Sequence, residues 1–242
     1  MLDLVALGAL QGLLEWLPVS SKAFVMLASS LVGFTKPLDF AIFLHLGTLI
    51  AVVTYMRGDI ARLDRKGLRF LAIATAGTAL VGVPLYFVVK SVSWSFGALP
   101  LVLIGAALLL TGFLVRKRVT VKAKGALSDK DAALAGLAQG FAMIPGVSRS
   151  GITLFALLSR GYGGELALKL SFLMSIPAVV GVNALEALNG VPLQAEYLAP
   201  LAAAAVVGYV TIGVLLRVAR KVDFSWFCWL FGGLSVLGAL LA

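Results

Sequence analysis

Two short stretches set hydroxyls, a carboxylate and a guanidinium beside breaks in apolar sequence: Glu15-Trp-Leu-Pro-Val-Ser-Ser21 and Pro145-Gly-Val-Ser-Arg-Ser-Gly-Ile-Thr153. In the second, Gly146 permits close backbone approach, and Ser148, Ser150 and Thr153 offer hydroxyls beside the amides of a helix start, which attract anions. Arg149 adds a planar positive fork suited to phosphate oxygens. A bare arginine is expensive at membrane depth, so it marks either an anion site or a cytoplasmic loop whose serines merely cap a helix. In the first stretch, Glu15 is the one acidic residue in its apolar neighbourhood. Activating the hydroxyl of Ser20 or Ser21, holding a divalent ion, pairing with Arg149 or forming a purely structural ion pair would each account for it. Gln11 lies one turn earlier on the same face, as a further ligand or as a stitch between segments. His45, the single histidine, is a general-base candidate or a hydrogen-bonded packing residue. Lys22 follows the serines and either helps neutralise a phosphate or snorkels outward. These types in this arrangement point to phosphate binding or phosphoryl transfer, and no glycine-rich nucleotide loop, Cys/His metal cluster or dinucleotide fingerprint accompanies them.

The elements that position these groups follow from hydropathy. Of 242 residues, 61% are hydrophobic and 13% charged, more apolar surface than a soluble domain of this size covers, so the fold class is an all-α polytopic membrane bundle. Residues 2–16 and 22–32 are apolar but short: about 15 residues rise about 22 Å, less than a hydrocarbon core of about 30 Å. Pro18 stops the first run, and Ser20 and Ser21 cap the second. A second short pair, 131–144 and 148–159, is split by Pro145-Gly146. The expected architecture is six spans, at 38–56, 70–89, 99–115, 166–188, 197–216 and 224–241, with two re-entrant hairpins whose tips converge near the midplane.

Charge gives the orientation. The loops after the first, third and fifth spans hold 14 of the 20 basic residues, which makes that side cytoplasmic and puts both termini outside. Net charge is +9, but the basic residues sit in short loops, so nucleic acid is not the expected partner. Met1-Leu-Asp3 lacks a basic n-region, which argues against a removable signal peptide, and Cys228 alone forms no internal disulfide. An internal repeat supports the same count: Leu7-Gly-Ala-Leu-Gln-Gly12 recurs as Ala135-Gly-Leu-Ala-Gln-Gly140, and Leu49-Ile-Ala-Val-Val53 as Ile176-Pro-Ala-Val-Val180. The chain reads as one membrane domain with pseudo-repeat halves of about 1–118 and 130–242, the second inverted.

Gln11-Gly-Leu-Leu-Glu-Trp-Leu-Pro-Val-Ser-Ser21, Phe43-Leu-His-Leu-Gly-Thr-Leu-Ile-Ala-Val52 and the second stretch, in this order, resemble the undecaprenyl-diphosphate phosphatase family of the bacitracin-resistance type over nearly the whole chain. The resemblance implies a membrane hydrolase that removes the terminal phosphate of a polyprenyl diphosphate in carrier-lipid recycling, with a divalent cation, magnesium or calcium, and a homodimer as a family-level expectation. It implies roles for Glu15, Ser20, Ser21, Ser148, Arg149, Ser150 and Thr153, with Ser21 as nucleophile and Glu15 as metal ligand. Two positions depart from the family pattern: a glutamate is expected at Gln11 and a histidine at Phe24. The chain therefore reads as a divergent, archaeal-like branch acting on a related lipid, with Glu15 or His45 as base. The competing function is a lipid-phosphate transporter that binds without hydrolysis, because inverted repeats with broken helices are also transporter architecture.

Overall fold

Pro18 and Pro145-Gly146 break the chain where expected, and the helices on either side fold into two short hairpins packed among longer helices. The computed structural model describes residues 2–34, 36–92, 98–116, 126–190, 195–221 and 225–240. The first hairpin is α1 (Leu2–Leu14) and α2 (Ser21–Leu31). α3 (Pro37–Tyr55), the short α4 (Arg57–Ala61), α5 (Arg65–Ser91) and α6 (Ala98–Arg116) follow. The second hairpin is α7 (Asp129–Gly140), a 3-10 turn at Phe141–Met143 and α8 (Arg149–Ser159), and α9 (Gly164–Leu188), α10 (Leu198–Lys221) and α11 (Ser225–Ala239) complete the chain. No strand occurs among the described residues.

Local chemistry explains the boundaries. Asp64 caps α5 by accepting from Gly67 N at 2.8 Å, Pro37 occupies the first turn of α3, and Gly33 takes φ 75° after α2. Four stretches are long and apolar enough to cross a membrane: Pro37–Tyr55, Arg65–Ser91, Gly164–Leu188 and Ala195–Val214. The third and sixth expected spans fall on α6 and α11, whose described apolar stretches, Ala98–Leu114 and Cys228–Ala239, are shorter. Large apolar side chains such as Leu80, Phe87, Val88, Val210 and Leu230 cover the outside of the bundle, a surface suited to lipid rather than water. The first basic loop contains a short helix, α4, and Lys117, Arg118, Lys122 and Lys124 lie outside the described residues. Arg69 pairs with Asp129, and Lys169 with Asp59 at 3.1 Å, so the loop after α3 and the start of α7 lie at one end of the bundle.

The helices pack in matching pairs. α1 lies along α10 and α7 lies along α5, while α6 and α11 pack on each other. Gly8 and Gly136, 128 positions apart, make the equivalent contacts: an added Cβ would stand 2.0 Å from Pro200 O in one case and 2.1 Å from Ala74 O in the other. α6 and α11 cross with Gly105 against Gly232 O and Gly232 against Gly105 O. Gly136→Val is expected to push α7 off α5 and cost about 3 kcal/mol or more. Gly233→Ala, with nothing within 4 Å, is expected to leave stability unchanged. Thermal unfolding of the two purified variants in detergent checks the contrast.

The pairing is not uniform. α3 closes on α10, with Gly47 against Leu201 O and Gly208 against Ala51. Between α5 and α9 a cavity opens instead, lined by Ala79, Gly82 and Val83 on one side and Ala178, Gly181 and Val182 on the other.

Candidate functional site

The two breaks meet. Gly146 N donates to Ser20 Oγ at 3.2 Å, Ser150 Oγ to Leu17 O at 3.0 Å, and Lys22 Nζ to Ala142 O and Met143 O at 2.9 and 2.7 Å. Gly146 has φ 99°, and a Cβ there would stand 2.6 Å from Ile104 O, so only glycine fits. The close approach expected of Gly146 is therefore made to α6 rather than to a ligand. Thr111 of α6 fixes the same turn by donating to Gly146 O at 2.9 Å and accepting from Ser148 N at 3.2 Å.

Glu15 is the hub. Its Oε2 accepts from Ser21 Oγ at 2.7 Å and from Gln11 Nε2 at 2.9 Å, and its Oε1 from Arg149 Nη2 at 2.5 Å. His45 Nδ1 lies 2.6 Å from Ala41 O, which turns Nε2 toward Glu15 Oε2 at 3.5 Å. Glu15 and Ser21 are each 6% exposed and Gln11 is fully buried, so this carboxylate works away from bulk water and its attractions are strong. The ion pair with Arg149 is one of the alternatives that the sequence left open for Glu15, and it coexists with the Ser21 hydrogen bond. Arg149 Nη1 and Gln11 Oε1 are buried with no hydrogen-bond partner. A buried guanidinium nitrogen left unpaired costs free energy that an arriving anion would recover.

The hydroxyls divide by the direction of their protons. Ser21 gives its proton to Glu15, and among the described residues no donor bonds its oxygen. Ser20 caps α2: its oxygen accepts from Ala23 N and Gly146 N. Ser148 caps α8 by accepting from Gly151 N at 3.1 Å and lies 3.2 Å from Ser150 Oγ, whose proton goes to Leu17 O. Thr153 bonds Arg149 O and Ser171 Oγ and does not line the cavity, so its sequence assignment to ligand contact becomes a support role for α8. Lys22 is 8% exposed, so the outward alternative is corrected: the last carbonyls of the second hairpin's first arm hold it inward.

Glu15, Ser20, Ser21, Lys22, His45, Ser148, Arg149 and Ser150 form the polar end of a cavity of about 260 Å³. Its remaining wall is mostly apolar and runs between α5 and α9 to Tyr86 and Leu185. Gln139, 3% exposed, also lines it and donates to Thr78 Oγ1 at 3.0 Å and Met174 O at 3.2 Å. Gln139 is the repeat counterpart of Gln11, and its place in the cavity wall depends on Thr78 and Met174 arriving from other helices. Nothing in the sequence singled out Thr111, whose hydrogen bonds depend on neighbours distant in the chain. Among the described residues, no group of three or more His, Cys, Asp or Glu could hold a metal ion.

Relatives with this sequence pattern carry a common description. An undecaprenyl-diphosphatase of Methanothrix thermoacetophila is 43% identical over 97% of this chain and 95% of its own length. One of Haloarcula marismortui is 43% identical over 98% and 96%, and one of Syntrophotalea carbinolica 39% identical over 96% and 97%. The family model for bacitracin resistance protein BacA matches residues 4–237. A match of that extent, with relatives of full-length similarity, makes this chain a member of the bacitracin resistance protein BacA family.

Proposed function

We propose that the protein is a polyprenyl-diphosphate phosphatase, which hydrolyses an undecaprenyl-type lipid diphosphate to the lipid monophosphate and inorganic phosphate. The observation that carries this reading is Arg149, one nitrogen pinned on Glu15 and the other buried and unpaired, between two helix N-termini that favour negative charge. The curated relatives bear the matching name, and the apolar cavity wall between α5 and α9 suits a prenyl tail beside a charged headgroup.

In this mechanism Ser21 Oγ attacks the terminal phosphorus while Glu15 Oε2 takes its proton. The Oγ–P bond forms as the bond from phosphorus to the bridging oxygen breaks, and the lipid monophosphate leaves with that electron pair. Arg149 Nη1 and the first amides of α2 and α8 hold the non-bridging oxygens where charge spreads in the transition state. Water then cleaves the phosphoserine, releasing phosphate and returning the serine proton. His45 Nε2 stands beside Glu15 to pass that proton on.

Glu15 is the one carboxylate among the described residues that line the cavity, and it would hold a divalent cation as a hard oxygen ligand, with the diphosphate completing the shell, as is usual for magnesium. Bound there, the ion would supply further neutralisation of phosphate charge.

The membrane arrangement belongs to the same reading: α3, α5, α6, α9, α10 and α11 as spans, the two hairpins re-entrant from opposite faces, basic loops cytoplasmic and both termini outside. The equivalent contacts of Gly8 and Gly136, the equivalent caps Ser20 and Ser148, and the matched pairs α1–α10 and α7–α5 support two inverted halves in a single membrane domain.

The paired serines separate the chemistry from the scaffold. Ser21→Ala is expected to abolish turnover, a loss of about 10³-fold or more. Ser20→Ala is expected to retain much more activity but lose about 1–2 kcal/mol of stability, because Ala23 N and Gly146 N lose their acceptor. Phosphate release and thermal unfolding of both variants check this. The function itself is tested with purified protein, magnesium and a polyprenyl diphosphate in micelles and vesicles. Release of phosphate supports the phosphatase; movement of intact lipid between leaflets without release supports the transporter.

A further inference from the structure

We propose that Phe172 of α9 is a positioning residue for Arg149, its ring fixing the guanidinium so that Nη1 meets the phosphate; this rests on the phosphatase reading. Arg149 Cζ lies 5.8 Å from the centroid of the Phe172 ring. The hydrogen bond from Nη2 to Glu15 is a single contact and does not by itself fix the plane of the guanidinium. A ring face beside it supplies a second restraint and uses none of the in-plane N–H groups, so Nη1 keeps no competing hydrogen-bond partner.

The ring is itself locked. Trp16 meets Phe172 edge-on, with centroids 5.6 Å apart at 80°, and Trp16 Nε1 donates to Gly208 O at 3.1 Å. Phe172 is 2% exposed and Trp16 1%, and a Cβ on Gly208 would stand 3.3 Å from the indole. A continuous set of contacts thus runs from α10 through the first break to α9 and on to the arginine of the second break. The neighbouring Ser171 adds its hydroxyl to Thr153, one turn from Arg149, so α9 braces both the side chain and the helix that carries it.

The experiment measures phosphate release from a polyprenyl diphosphate by wild type, Phe172→Leu and Phe172→Tyr, each also combined with Arg149→Lys, with thermal unfolding recorded for all. Phe172→Leu is expected to lower kcat by roughly ten- to hundred-fold with little change in KM, and Phe172→Tyr, which keeps the ring, to restore most of it. In the Arg149→Lys background the same Leu substitution is expected to cost less than about twofold, since the group it positions is gone. Should Phe172→Leu prove unstable, Phe172→Met keeps volume without the ring face and is read the same way. An equal loss in both backgrounds, or no loss of kcat, overturns the role. A wild type that releases no phosphate fails the phosphatase reading first, and is told apart from an active wild type indifferent to Phe172→Leu.

Discussion

Arg149→Lys protein is expected to fold and to reach the membrane, yet to lose phosphate release by about 10²–10³-fold or more. The guanidinium does two jobs at once, Nη2 on Glu15 and Nη1 unpaired beside the cavity's polar end. An ammonium is a single point charge: held by Glu15, it cannot present a second nitrogen in a fixed plane. Arg149→Ala is less informative, because removing one partner of a buried pair leaves Glu15 uncompensated at a cost of about 3–5 kcal/mol. Release assays paired with thermal unfolding check the lysine variant. Near-wild-type turnover in stable Arg149→Lys protein would show that the arginine holds the two hairpins together and does nothing to phosphorus.

Glu15→Gln is expected to be comparably severe, about 10³-fold or more in kcat. The amide keeps the shape but cannot take the Ser21 proton, and it leaves Arg149 without its counter-charge. Glu15→Asp tests position separately from charge: it retains the carboxylate but is one methylene short of reaching Ser21 and Arg149 together. It is expected to recover only part of the activity. Single-turnover assays with a lipid diphosphate labelled at the terminal phosphorus measure both, and a fully active Glu15→Gln would remove the carboxylate from the chemistry.

The polar end of the site was legible because residue type and interrupted hydropathy coincide there. A carboxylate at Glu15, hydroxyls at Ser20, Ser21 and Ser148 and a guanidinium at Arg149 all flank helix breaks, and a bundle tolerates such breaks only where protein or a wet cavity surrounds them. The repeat of 128 residues likewise anticipated Gly8 and Gly136, which make the same helix-to-helix approach.

What stayed hidden depends on tertiary partners. Which hydroxyl keeps a reactive geometry is decided by where each proton goes: Ser21 to Glu15, but Ser150 to Leu17 O. Lys22 sits at a helix start, where solvent is the ordinary destination of a lysine, and turns inward only because the carbonyls of Ala142 and Met143 arrive from 120 residues away. Thr111 and Trp16 read as ordinary bundle residues until their partners, Gly146 and Gly208, are in place. The difference between the closed α3–α10 pair and the opened α5–α9 pair is also invisible to hydropathy, because both pairs are built from Gly, Ala and Val.

The most direct measurement is an experimental structure of the purified protein with orthovanadate, a mimic of the phosphoryl group in transfer. Vanadate is expected between Ser21 Oγ and Arg149 Nη1, with the amides at the starts of α2 and α8 on its oxygens. Vanadate bound elsewhere, or a structure in which Glu15 and Arg149 stand apart and either break runs as continuous helix, would contradict it.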